Sequence, residues 1–194
     1  VEVAIIKYNS GNVRSVAFAI ERLGVIPVIT NDPGQIQAAD HVIFPGVGEA
    51  GSAMRYLKEH NLDKVIKTLK QPVLGICLGM QLLCRNSEEG DTTCLGIFDQ
   101  EVKQFETNLK VPQIGWNTVK GLTSPLFNGI PEESYMYFVH GFYTPKSTST
   151  IGVTGYGLDY SSALRRDNFY AVQFHPERSA ALGQKLLSNF LSIS

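Results

Sequence analysis

Pro72-Val73-Leu74-Gly75-Ile76-Cys77-Leu78-Gly79-Met80-Gln81 is the stretch on which the fold turns. The apolar run from Pro72 to Ile76 reads as a buried strand, and an apolar helical pattern through Leu78, Leu82 and Leu83 begins directly after it. Cys77 stands at the junction between Gly75 and Gly79, whose missing Cβ atoms leave room for a tight strand-to-helix turn. Such a turn strains its central side chain and points it outward, while the N–H groups opening the helix converge above it. A nucleophile placed there meets an anion-stabilising site, which makes Cys77 a candidate catalytic residue. The competing reading is a buried cysteine acting as a small hydrophobe.

Outward from this elbow, the pattern repeats. Val3 to Ile6 reads as a strand, followed by a turn and helix-cap cluster, Asn9-Ser10-Gly11-Asn12, and a helix carried by Val13, Val16, Ala17, Ile20 and Leu23 up to Gly24. Val25 to Ile29 is a second strand, closed by Asn31-Asp32-Pro33-Gly34, and His41 to Phe44 is a third, running into Pro45-Gly46-Val47-Gly48. Met54, Leu57, Leu62, Val65, Ile66 and Leu69 form either one helix with a break near Asn61 or two. Strands alternating with helices predict an α/β fold, an open, mostly parallel sheet flanked by helices on both faces. After Glu88-Glu89-Gly90-Asp91 the segments are short, aromatic or β-branched, at Val102 to Phe105, Thr118-Val119, Tyr135 to Val139, Ile151 to Thr154 and Ser162 to Leu164. They predict an additional antiparallel or mixed sheet portion. Phe169 to Phe174 is a further strand, and Leu182, Leu186, Leu187, Phe190 and Leu191 mark a last helix. No repeat or linker divides the chain, so one domain over residues 1–194 is expected.

The formal net charge is −1 with Lys and Arg scattered, which leaves no footprint for nucleic acid. Apolar runs are far too short for a membrane-spanning helix, and Val1 to Lys7 reads as a strand rather than a leader. Cys77, Cys84 and Cys94 lack metal-ligand or redox spacing, and Cys84 reads as a core-facing residue further along the elbow helix. A cytoplasmic protein with reduced thiols is the simplest account. No two histidines have a ligand spacing, so neither metal nor cofactor is expected.

Open parallel sheets put their working groups outside the carboxyl ends of the strands. Cys77, the loop Pro45-Gly46-Val47-Gly48 and His175-Pro176-Glu177 all stand at predicted strand ends. Pro176 keeps His175 extended, and residues two apart in an extended segment project the same way, so Glu177 can reach the imidazole from behind. His175 would then draw the proton from Cys77 while Glu177 fixes the ring. The plainer alternative is a surface turn. Gly46 and Gly48 allow the Val47 peptide to turn its N–H toward an oxyanion, paired with that of Leu78; losing one such donor costs about 3 kcal/mol. The loop lacks the Gly-Lys-Ser/Thr of a phosphate loop. Gln81 and Glu89 could bind the polar end of a substrate or be solvated helix residues, and His140 could end a strand near the site or be structural. His41 and His60 read as structural or solvent-facing.

Gly75-Ile76-Cys77-Leu78-Gly79-Met80-Gln81 together with Phe174-His175-Pro176-Glu177 resembles the glutaminase domain of triad glutamine amidotransferases, over essentially the whole chain. Asn9 to Val16, Phe44 to Gly48, Gly115-Trp116-Asn117 and Tyr137 to His140, with Met80, are similar to the branch of glutaminase subunits that serve imidazole glycerol phosphate synthases. The resemblance implies a flavodoxin-like class I fold and glutamine hydrolysis through a Cys77 thioester. It also implies delivery of ammonia to a separate (β/α)₈ cyclase/synthase subunit in a heterodimer, in histidine biosynthesis. It further implies Cys77, His175 and Glu177 as the triad and Val47 and Leu78 as oxyanion donors. Gly46, Gly48, Gln81, Glu89, His140, Gly141 and Phe142 would lie around the glutamine. Asn12, Arg14, Trp116 and Asn117 would face the partner. Three positions depart from the family pattern: Lys7-Tyr8-Asn9 where Asp-Tyr-Gly is common, Gln113 where histidine is frequent, and Gly141-Phe142 where a small residue and tyrosine are usual.

Other readings lead elsewhere. The same site could serve anthranilate, aminodeoxychorismate or pyridoxal phosphate synthase. A stand-alone cysteine hydrolase or peptidase would need no partner. A non-catalytic regulatory domain would have no use for Cys77, His175 and Glu177 together.

Overall fold

Short apolar runs flanked by turn residues become the centre of a sheet. In the computed structural model, which describes residues 1–194, the first half runs β1 (Val3–Ile6), α1 (Val13–Glu21), β2 (Val28–Thr30), α2 (Pro33–Ala38), β3 (His41–Phe44), α3 (Ala50–Glu59), α4 (Leu62–Thr68), β4 (Val73–Ile76) and α5 (Leu78–Leu83). The remainder comprises β5 (Cys84–Ser87), β6 (Thr92–Thr93), β7 (Phe98–Gln104), β8 (Gln113–Val119), β9 (Ser134–His140), β10 (Phe142–Tyr143), β11 (Thr150–Gly155), β12 (Asp159–Arg166), β13 (Phe169–Val172) and α6 (Ala180–Leu191).

The main sheet has seven strands in the order β11-β12-β13-β4-β3-β1-β2. From β13 to β2 every pairing is parallel, and β11 and β12 add antiparallel strands at the other edge. β1, β3, β4 and β13 are buried at every position, as strands covered on both faces must be. The pleat sends alternate residues to opposite layers: Ala4 and Ile6 pack with Leu57 and Ile66 of α3 and α4, whereas Val3 and Ile5 pack with Ile20 of α1 and Phe190 of α6. A four-stranded sheet, β10-β7-β5-β6, and a two-stranded ribbon, β8-β9, stand beside the main sheet.

Several boundaries differ from the sequence expectations, each for a local reason. The second strand starts at Val28 rather than Val25, because Pro27 has no N–H to pair and Ile26 is left exposed. Asp32-Pro33-Gly34 opens α2 instead of closing a strand. The Asp32 carboxylate accepts the Gln35 N–H at 2.8 Å, and Pro33 occupies the first helical turn, where its missing N–H costs nothing. The stretch after Ala50 is two helices, separated at Asn61, which takes a left-handed conformation (φ 55°). The elbow helix is a short one, and Cys84 begins β5 rather than extending it, because pairing with β7 competes successfully with the helix. Cys84 is buried, as expected of a core-facing residue. The antiparallel strands are shared among three sheets, two of them completing the main one.

Candidate active site

β13, β4 and β3 are neighbours, so their carboxyl ends bring His175, Cys77 and the Pro45–Gly48 loop to one edge. Cys77 adopts φ 53°, ψ −109°, a conformation that side-chain-bearing residues hold at a cost of about 1–3 kcal/mol and keep only where surroundings enforce it. The enforcing bonds are Cys77 N–H to the Val172 carbonyl at 2.8 Å and Gln81 N–H to the Cys77 carbonyl at 3.2 Å. The glycines set the approach of α5: a Cβ on Gly79 would overlap the Phe44 carbonyl, and one on Gly75 would meet Leu83 Cδ1 at 2.7 Å. The Cys77 thiol donates toward the Val139 carbonyl at 3.6 Å, and its sulfur accepts an N–H from Gln173 at 3.6 Å.

His175 is extended (φ −102°, ψ 95°), with Pro176 opening a short helical turn behind it. Its Nδ1 lies 2.8 Å from Glu177 Oε1, and both side chains are buried. Asn12 donates a short hydrogen bond to the same carboxylate oxygen. His175 Nε2 is buried without a well-formed hydrogen bond, as is Glu177 Oε2. Burial works to lower the His175 pKa, but negative charge at Cys77 and the Glu177 carboxylate outweigh it and push the ring up to about 10.

A cavity of about 160 Å³ opens above the sulfur, lined by Val47, Gly48, Cys77, Leu78, Gln81, Glu89, Val139, His140, Gly141 and Phe142. A second cavity, of about 280 Å³, adjoins it across Val47 and Val139 and reaches Asn12, His175 and Arg178. Gln81 spends its amide nitrogen inside the protein, on the Phe142 carbonyl at 3.1 Å and Gln173 Oε1 at 3.0 Å, leaving its oxygen free of protein partners. Glu89 Oε1 accepts the Ala50 N–H at the start of α3 at 2.7 Å, and burial holds its carboxyl above the usual range. The His140 ring turns into the core, with Nδ1 on the Phe142 carbonyl at 2.6 Å and Nε2 near Gln113 and Tyr160. Burial drives its pKa down to about 4, so the ring is neutral.

Both oxyanion candidates are engaged. The Val47 N–H donates to Ser10 Oγ at 2.7 Å, and the Leu78 N–H donates to the Gly46 carbonyl at 3.2 Å. The Gly46 carbonyl and Val47 N–H belong to one peptide plane, so a single rotation of that plane would release both donors. Gly46 itself has no room for a side chain. The Tyr8 hydroxyl, held on the Pro45 carbonyl at 2.6 Å, fills that space.

Of the remaining residues singled out in sequence, Arg14 is exposed on α1 and Trp116 is 53 % exposed on β8, edge-on to Tyr137. Asn12 turns inward to the Glu177 carboxylate. Asn117 ties β8 to the Gly155 carbonyl at 2.9 Å. Sequence reading passed over Tyr8, Ser10, Val139 and Gln173. Gln173 and His175 share one side of an extended segment, and that period of two was the available signal. Ser10 carried none, because its partner Val47 is remote in the chain. No group of three or more His, Cys, Asp or Glu side chains gathers as for a metal ion, and no helix is long and apolar enough to cross a membrane.

The family model described as "Glutamine amidotransferase class-I" matches residues 5–193. The chain is 55 % identical over 195 residues to the imidazole glycerol phosphate synthase subunit HisH of Bacteroides fragilis (strain YCH46), covering 99 % of this chain and 100 % of that protein. It is 46 % identical over 195 residues to the HisH subunit of Yersinia pestis, with the same coverage. A crystal structure of a glutamine amidotransferase has the same fold, with a TM-score of 0.75 at 17 % identity over 98 % of this chain and 97 % of that one. Family match and identity across the full length agree: the chain belongs to the class-I glutamine amidotransferases, in their branch of imidazole glycerol phosphate synthase HisH subunits.

Proposed function

We propose that the chain is the glutaminase subunit of an imidazole glycerol phosphate synthase. It releases ammonia from glutamine for use by a (β/α)₈ cyclase/synthase partner in histidine biosynthesis. The observation that carries this reading is the buried His175, oriented through Nδ1 by Glu177 and left with an unpartnered Nε2 beside an elbow cysteine. In this mechanism Cys77 gives its proton to Nε2 and its sulfur attacks the side-chain carbonyl carbon of glutamine. His175 returns the proton to the nitrogen as the C–N bond breaks, which leaves a glutamyl thioester and ammonia. Water, deprotonated by His175 Nε2, then cleaves the thioester to glutamate, and His175 returns that proton to the departing sulfur as the free thiol forms. The free oxygen of Gln81 and the carboxylate of Glu89 are placed to accept hydrogen bonds from the α-ammonium group.

The tetrahedral intermediate needs N–H donors that the resting site does not offer, since Val47 and Leu78 are both engaged. Rotation of the Gly46–Val47 peptide on docking of the partner would supply them, which ties glutamine hydrolysis to an ammonia acceptor. Val47 is 39 % exposed and lines the second cavity, so it lies where a partner can reach it. The outward face of β8 and β9, with Ile114, Trp116 and Tyr135 exposed, and Arg14 on α1 form the candidate docking face. A closed path between subunits keeps ammonia from being protonated in water, where it stops being a nucleophile.

The test is glutamate release by the chain alone, then with its synthase subunit and that subunit's nucleotide ligand. A large rise on assembly is expected, with Cys77→Ala abolishing it while the complex still forms imidazole product from added ammonia. Equal turnover with and without partner would refute the coupling, and retained hydrolysis in Cys77→Ala would refute the nucleophile.

A further inference from the structure

Gln173 is completely buried, directly follows β13, and touches the nucleophile. Three amide groups in a row determine which of its ends does so. The Phe142 carbonyl can only accept, so the Gln81 side chain must present its nitrogen there, at 3.1 Å. The second hydrogen of that nitrogen lies toward Gln173, at 3.0 Å, so Gln173 must meet it with its oxygen. The Gln173 nitrogen is then left facing the Cys77 sulfur at 3.6 Å. Turning Gln81 over would set its oxygen against the carbonyl oxygens of Phe142 and Gln173, and turning Gln173 over would set N–H against N–H and put a carbonyl oxygen against the sulfur. Gln81 is also buried, so water cannot repair such a mismatch.

We propose that Gln173 is a catalytic residue that donates an N–H to the Cys77 sulfur and stabilises it as the thiolate. The proposal rests on the glutaminase reading. When the S–H bond breaks and the proton joins His175 Nε2, the Val139 carbonyl that accepted that proton becomes a repulsive neighbour at 3.6 Å. The Gln173 N–H bond, by contrast, strengthens, because donors bind anionic acceptors more tightly than neutral ones. It therefore favours the reactive form of the nucleophile over the resting one. Gln81 acts on the sulfur through Gln173 as a positioning residue, in addition to its place at the cavity wall.

The experiment is alkylation of Cys77 by iodoacetamide, followed by mass spectrometry across the neutral to alkaline range, in the unaltered chain, Gln173→Met and Gln173→Glu. Gln173→Met removes the donor at similar volume, and its Cys77 reacts roughly 10- to 100-fold more slowly at neutral pH, with the profile displaced to higher pH. Gln173→Glu keeps the acceptor for Gln81 but faces the sulfur with oxygen, and reacts more slowly still. Cys84 and Cys94, pushed up to about 12 chiefly by burial, stay unmodified while the fold is intact and so report any loosening. Alkylation of Cys77 at the unaltered rate and pH dependence in a folded variant overturns the proposal. Should both variants unfold, nitrogen-15-labelled glutamine in the unaltered chain decides it. The Gln173 side-chain N–H resonance must move downfield as Cys77 becomes alkylatable, and a flat resonance overturns the proposal. Failure of the glutaminase reading shows separately, as absent glutamate release from the unaltered chain with its partner.

Discussion

Replacing Ser10 with alanine should switch part of the glutaminase on without a partner. Ser10 Oγ accepts the Val47 N–H at 2.7 Å and donates to the Val47 carbonyl at 2.7 Å. Rotation of the Gly46–Val47 peptide must break the first of these bonds; the second belongs to the next peptide plane and need not change. The bond between Leu78 N–H and the Gly46 carbonyl is also broken on rotation, but equally in both proteins. The difference made by Ser10→Ala is therefore one hydrogen bond, with a net worth of about 0.5–1.5 kcal/mol. Val47 is 39 % exposed and water can take the place of the hydroxyl, which favours a value of about 1 kcal/mol. That corresponds to roughly a fivefold rise in glutamate release by the chain alone. On the proposed rotation the peptide is already turned when partner and ligand are bound, so the stimulated rate should change little and the activation ratio should fall by the same factor. Glutamate release measured with and without the partner, alongside a thermal melt, separates the terms. An unchanged or lower unpartnered rate in a folded Ser10→Ala chain would refute the latch.

Stability should pass through a maximum near pH 6.5, the ordinary histidine value. His175 is raised to about 10, so its contribution is full below 6.5 and is lost as pH rises toward 10. His140 is lowered to about 4, so its contribution is full above 6.5 and is lost as pH falls toward 4. Melts of Cys77→Ala, which removes the group that raises His175 most, should show a shallower alkaline limb, and an unaltered limb would contradict the assigned cause. Gly79→Ala forces a methyl group onto the rigid Phe44 carbonyl and should cost about 3 kcal/mol, read as a lower denaturant midpoint; a midpoint like that of the unaltered chain would mean the elbow can relax. Trp116→Ala should weaken partner binding by about 1 kcal/mol or more in calorimetry with no effect on the unpartnered melt, and unchanged affinity would remove Trp116 from the docking face.

Much of the architecture was legible before any coordinates. The buried runs at Val3–Ile6, His41–Phe44, Val73–Ile76 and Phe169–Val172 declare strands covered on both faces, since each is apolar without alternation. The glycines around Cys77 declare the elbow, because only their missing Cβ atoms let α5 pass so close to Phe44 and to β4. His175-Pro176-Glu177 declares the imidazole and its orienting carboxylate through the rigidity of proline and the period of an extended chain. All of these are short-range consequences of backbone geometry, which a sequence carries within a few residues.

What the linear chain left open was decided where distant segments meet. Asn12, read as a docking residue, spends its amide on Glu177, and Val47, read as an oxyanion donor, rests on Ser10. Gln173 and Gln81, unrelated by position, join into one buried amide row that ends on the sulfur. β11 and β12 complete the main sheet instead of standing apart. A hydrogen-bonding group chooses among every partner within about 3 Å, and folding alone determines which groups come that close. Sequence thus specified the elements and the candidate reacting groups of this protein, while tertiary structure decided which of those groups are free of hydrogen-bond partners.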